Sequence, residues 1–269
     1  MSVAVVQGAG GSIGTHFVRH LLKQTRLEIV ATTRNPQQFI RHLDDVERQV
    51  DKQRLTVLEL DVKNEHTIER AAKQVQDKFG RASLKLLLNV SGVLHADKSV
   101  QQVKQEELLD HFQLNTFGHL LMYKHFVPLL PKTADIKKRK DEPDLTNGNL
   151  PRDLSVLASL TARVGSIGDN HKGGWIGYRA SKAATNQIIM TLQRELDLKS
   201  TPSIAIALHP GTVVGTNLSK RFTKEEDAGK KQGVFQAQES TQKLLDVIKS
   251  LTQEDGGKFL DWAGKDIQW

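Results

Sequence analysis

The segment VAVVQGAGGSIG, residues 3–14, joins a short apolar run to a glycine-rich turn. The apolar run Val3–Val6 is typical of a buried parallel strand. The turn contains the residues Gly8, Gly10, Gly11, Ser12, Ile13 and Gly14. Glycine adopts positive φ angles and lets a phosphate approach the backbone, and the helix predicted to follow offers free N–H groups and a positive dipole end. A glycine cluster between a first strand and a helix therefore predicts a dinucleotide-binding unit.

Apolar runs and amphipathic segments alternate along the rest of the chain. Strands are predicted at residues 3–6, 27–33, 55–60, 84–89, 154–160, 203–208 and 259–260. Helices are predicted at residues 15–23, 36–50, 65–79, 106–130, 174–198 and 240–251. Because helices of this length connect parallel strands, the sequence predicts an α/β fold of Rossmann type. Its doubly wound, mainly seven-stranded parallel sheet is expected to carry helices on both faces.

No linker or internal repeat divides the chain, so residues 1–269 are expected to form a single domain. The polar segment 131–153, rich in Lys, Asp, Asn and Pro, interrupts the alternation and is expected to be a flexible surface insertion. Residues 220–236 are also polar and are expected to form a loop or a lid.

The composition excludes several classes of site. The chain contains no cysteine, which excludes disulfides, thiolate metal sites and thiol nucleophiles. The formal net charge is +7, and we interpret the basic run Lys137–Lys140 as a solvated part of the polar segment, with nucleic-acid binding as the alternative. His16 and His20 lack an evident third ligand, so no metal site is predicted. Without a leader-like start or an apolar stretch of about 20 residues, the sequence predicts a soluble, cytoplasmic protein.

Polar side chains and glycines follow several predicted strands. They are Arg34, Asp61, the run Asn89-Val90-Ser91-Gly92 and the run Pro210-Gly211-Thr212. The carboxyl ends of parallel strands meet at one edge of a sheet, and ligands of such sheets bind there. These residues are therefore expected to form a continuous site for the adenine, ribose and nicotinamide of a dinucleotide.

The end of the second predicted strand bears on the choice between NAD and NADP. An acidic residue there would bond the ribose 2′-hydroxyl and repel a 2′-phosphate. This chain has Arg34 after Ala31-Thr32-Thr33, and a guanidinium pairs with phosphate through charge-assisted hydrogen bonds. The sequence favours NADP(H) over NAD(H).

Tyr178 and Lys182 are four residues apart in a predicted helix, which places them on one face. An unperturbed phenol has a pKa of about 10 and is a weak acid at neutral pH. A nearby ammonium group stabilises the phenolate and lowers that pKa. The pair is therefore suited to donating a proton to a carbonyl oxygen as a hydride reaches the carbon.

These motifs, in this order, make the chain resemble the short-chain dehydrogenase/reductase family over essentially its whole length. The motifs are the glycine turn, Asp61, Asn89–Gly92, Asn115, Tyr178-x-x-x-Lys182 and Pro210-Gly211. Three further stretches are similar to the C-factor and sniffer-type carbonyl reductases within that family. They are residues 163–170 (RVGSIGDN), residues 173–182 (GGWIGYRASK) and residues 257–262 (GKFLDW), the last close to the final Trp269.

The resemblance implies a role for each matching position. Tyr178 would be the proton donor or acceptor, Lys182 would bind the nicotinamide ribose, and Asn115 would hold a water that links Lys182 to solvent. The glycine turn would bind the pyrophosphate. The remaining cofactor contacts would be Asp61 and Val62 at the adenine, Asn89–Gly92 beside the ribose, and Pro210–Val213 at the nicotinamide. A small carbonyl or alcohol substrate and a homo-oligomer, dimer or tetramer, are also implied.

The chain departs from the family pattern at two places. Ser12 stands where the family turn has glycine. The family's catalytic serine lies 13 residues before the tyrosine, which here is Gly165, so the insertion 169–174 shifts the alignment upstream. Thr161 becomes the first candidate for the hydroxyl that orients the substrate carbonyl, with Ser159 and Ser166 as alternatives.

Two functions remain open from the sequence. The first is an NADP(H)-dependent reductase that converts a ketone or aldehyde to an alcohol. The second is a cofactor-binding signalling or scaffold protein with little turnover, which the resemblance to the C-factor permits. The substrate itself is not specified by the sequence.

Overall fold

A computed structural model describes residues 1–46 and 51–269 of the chain. Its strands are β1 (Val3–Gln7), β2 (Glu28–Thr33), β3 (Leu55–Glu59), β4 (Leu84–Asn89), β5 (Ser155–Leu160), β6 (Ser203–His209), β7 (Thr212–Val213), β8 (Val234–Phe235) and β9 (Phe259–Asp261). Its α-helices are α1 (Ser12–Gln24), α2 (Pro36–Val46), α3 (Glu65–Phe79), α4 (Gln105–Phe112), α5 (Gly118–Phe126), α6 (Thr133–Lys138), α7 (Ile176–Leu198) and α8 (Ala237–Lys249). The end of the helix predicted at 36–50 lies outside the described residues.

Seven strands form one parallel sheet in the order β3-β2-β1-β4-β5-β6-β9. Val5 in β1 pairs with Val30 in β2 on one side and with Leu87 in β4 on the other. Strands β2 and β3 are therefore added on one side of β1, and β4 and the later strands on the other. The loops that follow β1 and β4 diverge at this point, above the carboxyl ends of the strands. The predicted α/β fold with a seven-stranded parallel sheet is confirmed.

The two faces of the sheet are covered by separate apolar clusters. Alternate residues of a strand point to opposite faces, so Ala4 and Val6 join one cluster while Val3 and Val5 join the other. The first cluster includes apolar residues of α1, α2 and α8, and the second includes those of α3, α5 and α7. Burial on both faces explains why the strands read as continuous apolar runs rather than as alternating ones.

The helix predicted at 106–130 is interrupted, and the prediction of one uninterrupted helix is wrong. Between α4 and α5 the residues Gln113–Phe117 form a π-helical turn, which accommodates one extra residue per turn. After α5 the chain tightens into a 3₁₀ turn at Val127–Leu129, where Pro128 lacks the N–H that an α-helix needs. The π turn contains Asn115 and sets its orientation.

The start of α7 also differs from the prediction. Gly173, Gly174 and Trp175 have φ angles of 61°, 68° and 52°, so the helix begins at Ile176 rather than at Gly174. The short strands β7 and β8 pair with each other in a second, two-stranded sheet. The sequence did not indicate this sheet, because two-residue strands are too short to show a periodic pattern.

The polar segment 131–153 lies at the opposite end of the sheet from the carboxyl ends of the strands. It contains α6, and the amino group of Lys85, next to the start of β4, donates to the carbonyls of Pro151, Arg152 and Leu154. Arg26, just before β2, donates its backbone N–H to the carbonyl of Leu145. The flexibility of the segment stays a prediction. Among the described residues, no helix combines the length and apolar composition needed to cross a membrane.

Candidate active site

The glycine turn between β1 and α1 is packed too closely for side chains at three of its positions. A Cβ atom on Gly8, where φ is +82°, would lie 2.9 Å from the backbone nitrogen of Ser91. A Cβ atom on Gly10 would lie 2.6 Å from Thr33 Oγ1, and one on Gly14 would lie 2.3 Å from the carbonyl oxygen of Gly8. The turn therefore holds α1 close to the sheet and brings bare backbone to its edge.

The first backbone amides of α1 have no partner within the helix. The first helical bond runs from the backbone N–H of Thr15 to the carbonyl of Gly11 at 2.9 Å, and the first N–H groups of a helix have no partner within it. Ser12 is the first residue of α1, and its side chain is exposed. Serine thus replaces the family's glycine at a position where a small side chain meets no packing barrier, and Ser12 and Ile13 present amides suited to an anion.

Arg34 and Asp61 follow β2 and β3 at the same edge of the sheet. Arg34 is exposed, and it has no ion-pair or hydrogen-bond partner within residues 1–46 and 51–269. Asp61 accepts a hydrogen bond from the N–H of Lys63 at 3.0 Å, which fixes the turn after β3. Val62 is buried against Gly118, where a Cβ atom would lie 2.8 Å from Val62 Cβ. The loop after β3 is therefore tied to the start of α5.

The run Asn89–Gly92 leaves β4 beside the glycine turn. Ser91 donates its backbone N–H to the side-chain oxygen of Gln7 at 3.2 Å. A Cβ atom on Gly92 would lie 3.1 Å from Asn115 Oδ1 and 3.5 Å from Lys182 Nζ, so glycine permits the approach of both side chains. Two buried atoms of the run, Asn89 Oδ1 and Ser91 Oγ, have no hydrogen-bond partner in the described part of the protein.

Tyr178 and Lys182 lie one turn apart at the start of α7, above the end of β5. Lys182 Nζ donates to the carbonyl of Leu160 at 2.9 Å and lies 5.9 Å from the centre of the Tyr178 ring. Tyr178 is 6% exposed, and its hydroxyl has no hydrogen-bond partner among the described residues. Burial raises the pKa of Tyr178, so the prediction that Lys182 lowers it is wrong. Burial also lowers the pKa of Lys182 to about 7. The phenol is therefore protonated at neutral pH and free to donate.

Asn115 connects the π turn to both neighbouring segments. Its Oδ1 accepts from the N–H of Val93 at 2.8 Å, and its Nδ2 donates to the carbonyl of Val93 and to Ser181 Oγ, each at 3.0 Å. Its backbone carbonyl accepts from Thr185 Oγ1 at 2.6 Å. The π turn thus brings Asn115 between α7 and the loop after β4, close to Gly92 and Lys182.

None of the three candidate hydroxyls is hydrogen-bonded to Tyr178 in the described residues. Thr161 Oγ1 donates to Asn186 Oδ1 at 2.8 Å, two turns along α7 from Tyr178. Ser159 is fully buried among polar side chains of β4 and α5. Ser166 Oγ accepts from the N–H of Asp169 at 3.0 Å. At Gly165 a Cβ atom would lie 2.8 Å from Lys182 Cβ, so no side chain fits at the position that the family spacing indicates.

The run after β6 forms the remaining side of the edge. Gly211 has a φ angle of +74°, and a Cβ atom there would lie 2.7 Å from the carbonyl oxygen of Gly233. Thr212 and Val213 form β7, whose partner strand β8 holds the run against Phe235. The carbonyl of Pro210 accepts from Ser240 Oγ at 2.7 Å. Pro210–Val213 therefore has a fixed backbone next to the site.

Aromatic rings beside Tyr178 were not among the site residues predicted from the sequence. The ring centre of Trp175 lies 6.3 Å from that of Tyr178, and the ring centre of His111 lies 5.9 Å from it. Phe222, from the loop after β7, packs on Trp175 with ring centres 5.1 Å apart. In the sequence, the placement of Trp175 is indicated locally by the two glycines before it. Their positive φ angles turn the chain over the start of α7.

The chain is similar in sequence and fold to several known proteins. The family model described as short chain dehydrogenase matches residues 2–136, half of the chain. An NADPH-bound carbonyl reductase from chicken fatty liver is 28% identical, with a TM-score of 0.80 over 100% of this chain and 98% of that one. The carbonyl reductase Sniffer of Drosophila melanogaster has the same fold, with a TM-score of 0.80, 23% identity, and coverage of 100% of this chain and 99% of that one.

The curated protein C-signal of Myxococcus xanthus is also similar to this chain. It is 28% identical over 184 residues, which cover 68% of this chain and 92% of that protein. The resemblance to the C-factor and sniffer-type branch is therefore confirmed. Members of the matched family are oxidoreductases that use nicotinamide cofactors and act on small molecules. The family model matches half of the chain, and carbonyl reductases share the fold of the chain. The chain therefore belongs to the short-chain dehydrogenase family.

Proposed function

We propose that this protein is an NADP(H)-dependent carbonyl reductase that converts a ketone or aldehyde to an alcohol. The observation that carries the proposal is the position of Tyr178 and Lys182. Both are buried at the carboxyl ends of the strands, and Lys182 Nζ lies against Gly92, beside Asn115. A proton donor and a cationic group thus flank the edge that the glycine turn prepares for a dinucleotide.

The residues at this edge fit NADP(H). The glycine turn would hold the pyrophosphate on the amides of Ser12 and Ile13, and Arg34, exposed and unpaired in the described residues, would pair with the 2′-phosphate. The buried Ser91 Oγ, which lacks a partner in the described residues, would meet a polar group of the cofactor. Asp61 and Val62 would contact the adenine, and Pro210–Val213 the nicotinamide. When bound, the cofactor supplies the hydride that adds to the carbonyl carbon.

Tyr178 donates the proton that the reaction needs at oxygen. Its pKa is raised by burial, so the hydroxyl carries its proton at neutral pH. As the carbonyl oxygen gains negative charge, the O–H bond of Tyr178 breaks and the proton bonds to that oxygen. In its protonated form Lys182, whose Nζ lies 5.9 Å from the ring centre, stabilises the phenolate that remains. Asn115, bonded to Ser181 and to the residue after Gly92, holds α7 and the loop after β4 at a fixed distance around this pair.

A second candidate function has a specific observation in its favour. Thr161 and Ser159 are bonded to other side chains, and none of Thr161, Ser159 and Ser166 is hydrogen-bonded to Tyr178 in the described residues, so no hydroxyl is fixed beside the phenol to orient a carbonyl. A site without such a donor would turn over slowly. A cofactor-binding signalling or scaffold protein, as the similarity to C-signal suggests, is therefore the alternative.

The first prediction concerns Tyr178, one of two tyrosines in the chain. Replacing it with phenylalanine removes the donated proton, so turnover should fall at least about a hundredfold. The dissociation constant of NADPH should change less than about twofold, because only the hydroxyl is lost. NADPH oxidation at 340 nm with a panel of aldehydes and ketones measures the turnover, and calorimetric titration measures the affinity.

The matched control for this variant is Tyr123→Phe, which removes the hydroxyl of the other tyrosine, buried beneath the site against Ser159. It should keep the wild-type turnover. Undiminished reduction by Tyr178→Phe would contradict the mechanism. Tight NADPH binding by the wild-type protein with no turnover on any carbonyl would favour the scaffold function instead.

The second prediction concerns Arg34. Arg34→Ala should weaken NADPH binding roughly 10- to 100-fold, the range expected when a charge-assisted bond to phosphate is lost, and leave NADH binding unchanged. Arg81→Ala, which removes an exposed arginine before the start of β4, should change neither affinity. An unchanged ratio of the two affinities in Arg34→Ala would place the 2′-phosphate elsewhere.

The third prediction concerns the buried charge of Lys182. Its pKa in the folded protein, about 7, is lower than the ordinary value of 10.5, so the unfolded chain binds more protons between these two pH values. Lys182→Met should abolish turnover, because it removes the group that stabilises the phenolate. It should also raise the Tm at pH 7 by roughly 3 °C or more, because it removes the cost of burying the charge. The gain should be largest below pH 7 and vanish as the pH approaches 10.5.

Scanning calorimetry from pH 6 to 10 measures this difference. Lys249→Met removes an exposed amino group at the end of α8 and should leave the Tm unchanged at every pH. A Tm difference between wild type and Lys182→Met that does not depend on pH would show that the ammonium is not destabilised by burial.

A further inference from the structure

A chain of buried hydrogen bonds runs beneath the candidate cofactor site. Ser159, in the middle of the sheet, contacts three side chains through its Oγ: Tyr123 Oη at 2.7 Å, His119 Nδ1 at 3.0 Å and Asn89 Nδ2 at 3.2 Å. The other ring nitrogen of His119, Nε2, lies 2.9 Å from the carbonyl oxygen of Ser91. The chain of bonds therefore links α5 and β5 to the loop after β4.

The direction of each bond follows from the chemistry of its members. Burial, with a smaller contribution from the charge of Lys182, lowers the pKa of His119 to about 3, so its ring is neutral. A carbonyl only accepts, so Nε2 carries the ring proton and donates it to Ser91. Nδ1 is then an acceptor and receives the hydroxyl proton of Ser159. The Ser159 oxygen in turn accepts from Tyr123 and Asn89.

The last acceptor in this chain, the Ser91 carbonyl, belongs to the backbone segment that borders the glycine turn. The N–H of the same residue is bonded to the side chain of Gln7 at 3.2 Å. A Cβ atom on Gly8 would lie 2.9 Å from that nitrogen. The next residue, Gly92, lies against Asn115 and Lys182. Ser91 thus lies between the glycine turn and the catalytic pair. Its N–H is bonded to Gln7 and its carbonyl to His119, so both of its backbone groups are held in place.

We propose that His119 is a positioning residue for the cofactor, acting through the carbonyl of Ser91. By holding that carbonyl on the α5 side, it keeps the Asn89–Gly92 backbone at the distance from Gly8 that a bound dinucleotide requires. Without this donor the Ser91 carbonyl would turn toward another partner, and the Ser91 backbone, which lies close to Gly8, would move with it. The proposal rests on the proposed function in one respect, since it takes NADPH to bind at this edge.

Two substitutions separate the two bonds of His119. The amide nitrogen of glutamine reaches the position of Nε2, where it can donate, whereas the amide oxygen of asparagine reaches only the position of Nδ1, where it can accept. His119→Gln therefore keeps a donor for Ser91 and loses the contact with Ser159, while His119→Asn does the reverse. Both variants disturb the same buried cluster, so a purely structural role would affect them alike.

The experiment measures the Kd of NADPH by titration calorimetry and the Tm of the free protein for wild type and both variants. We expect both variants to lose a similar amount of Tm. We expect the Kd to rise about tenfold in His119→Asn, the size expected when a carbonyl loses its donor, and less than about threefold in His119→Gln. The difference between the variants, rather than either value alone, reports on positioning.

Tyr123→Phe keeps the measurement interpretable if a histidine variant folds poorly. It removes one donor to Ser159 and leaves the bond from His119 to Ser91 intact, so its Tm should fall while its NADPH affinity stays within about twofold of wild type. Equal Kd values for His119→Asn and His119→Gln, or a Tyr123→Phe variant as weak as His119→Asn, would overturn the proposal. Failure of the wild-type protein to bind NADPH would instead overturn the proposed function.

Discussion

The pairing of β1 with β2 on one side and β4 on the other is the constraint on which the site depends. Hydrogen bonding between parallel strands directs all seven carboxyl ends to one edge of the sheet. The change in strand order at β1 opens a crevice between the glycine turn and the Asn89–Gly92 loop. The contact between Gly8 and Ser91 sets the width of this crevice at its base. Cofactor contacts and catalytic side chains from distant parts of the chain meet there because all of them follow the carboxyl ends of parallel strands, which lie at one edge of the sheet.

Much of the fold could be predicted from local patterns. The predicted bounds of α3 and β4 agree with the structure at every residue, because Asn64 caps α3 and Gly80 ends it. The π turn at Gln113–Phe117 could not be predicted, since it is fixed by contacts of Asn115 with Val93 and Ser181, which lie far away along the chain. Apolar periodicity does not register one extra residue in a helical turn.

The same distinction applies to the site. The spacing of Tyr178 and Lys182 places them on one helix face in any context, so the pair could be predicted from the sequence. The sequence could not predict which hydroxyl near the end of β5 is free. Thr161 is bonded to Asn186 and Ser159 to His119, partners that lie 25 and 40 residues away along the chain. His119 belongs to no local motif. Its role emerges only when the sheet brings Ser159 and Ser91 to its two ring nitrogens.

The central claim is that one edge of the sheet holds both NADP(H) and the proton donor. A crystal structure of the protein with NADP⁺ tests this most directly. We expect the pyrophosphate on the amides of Ser12 and Ile13 and the 2′-phosphate on Arg34. We also expect the nicotinamide ribose within hydrogen-bond distance of Lys182, with the nicotinamide ring facing Tyr178. A cofactor bound at any other surface, or one whose nicotinamide lies away from Tyr178, would contradict it.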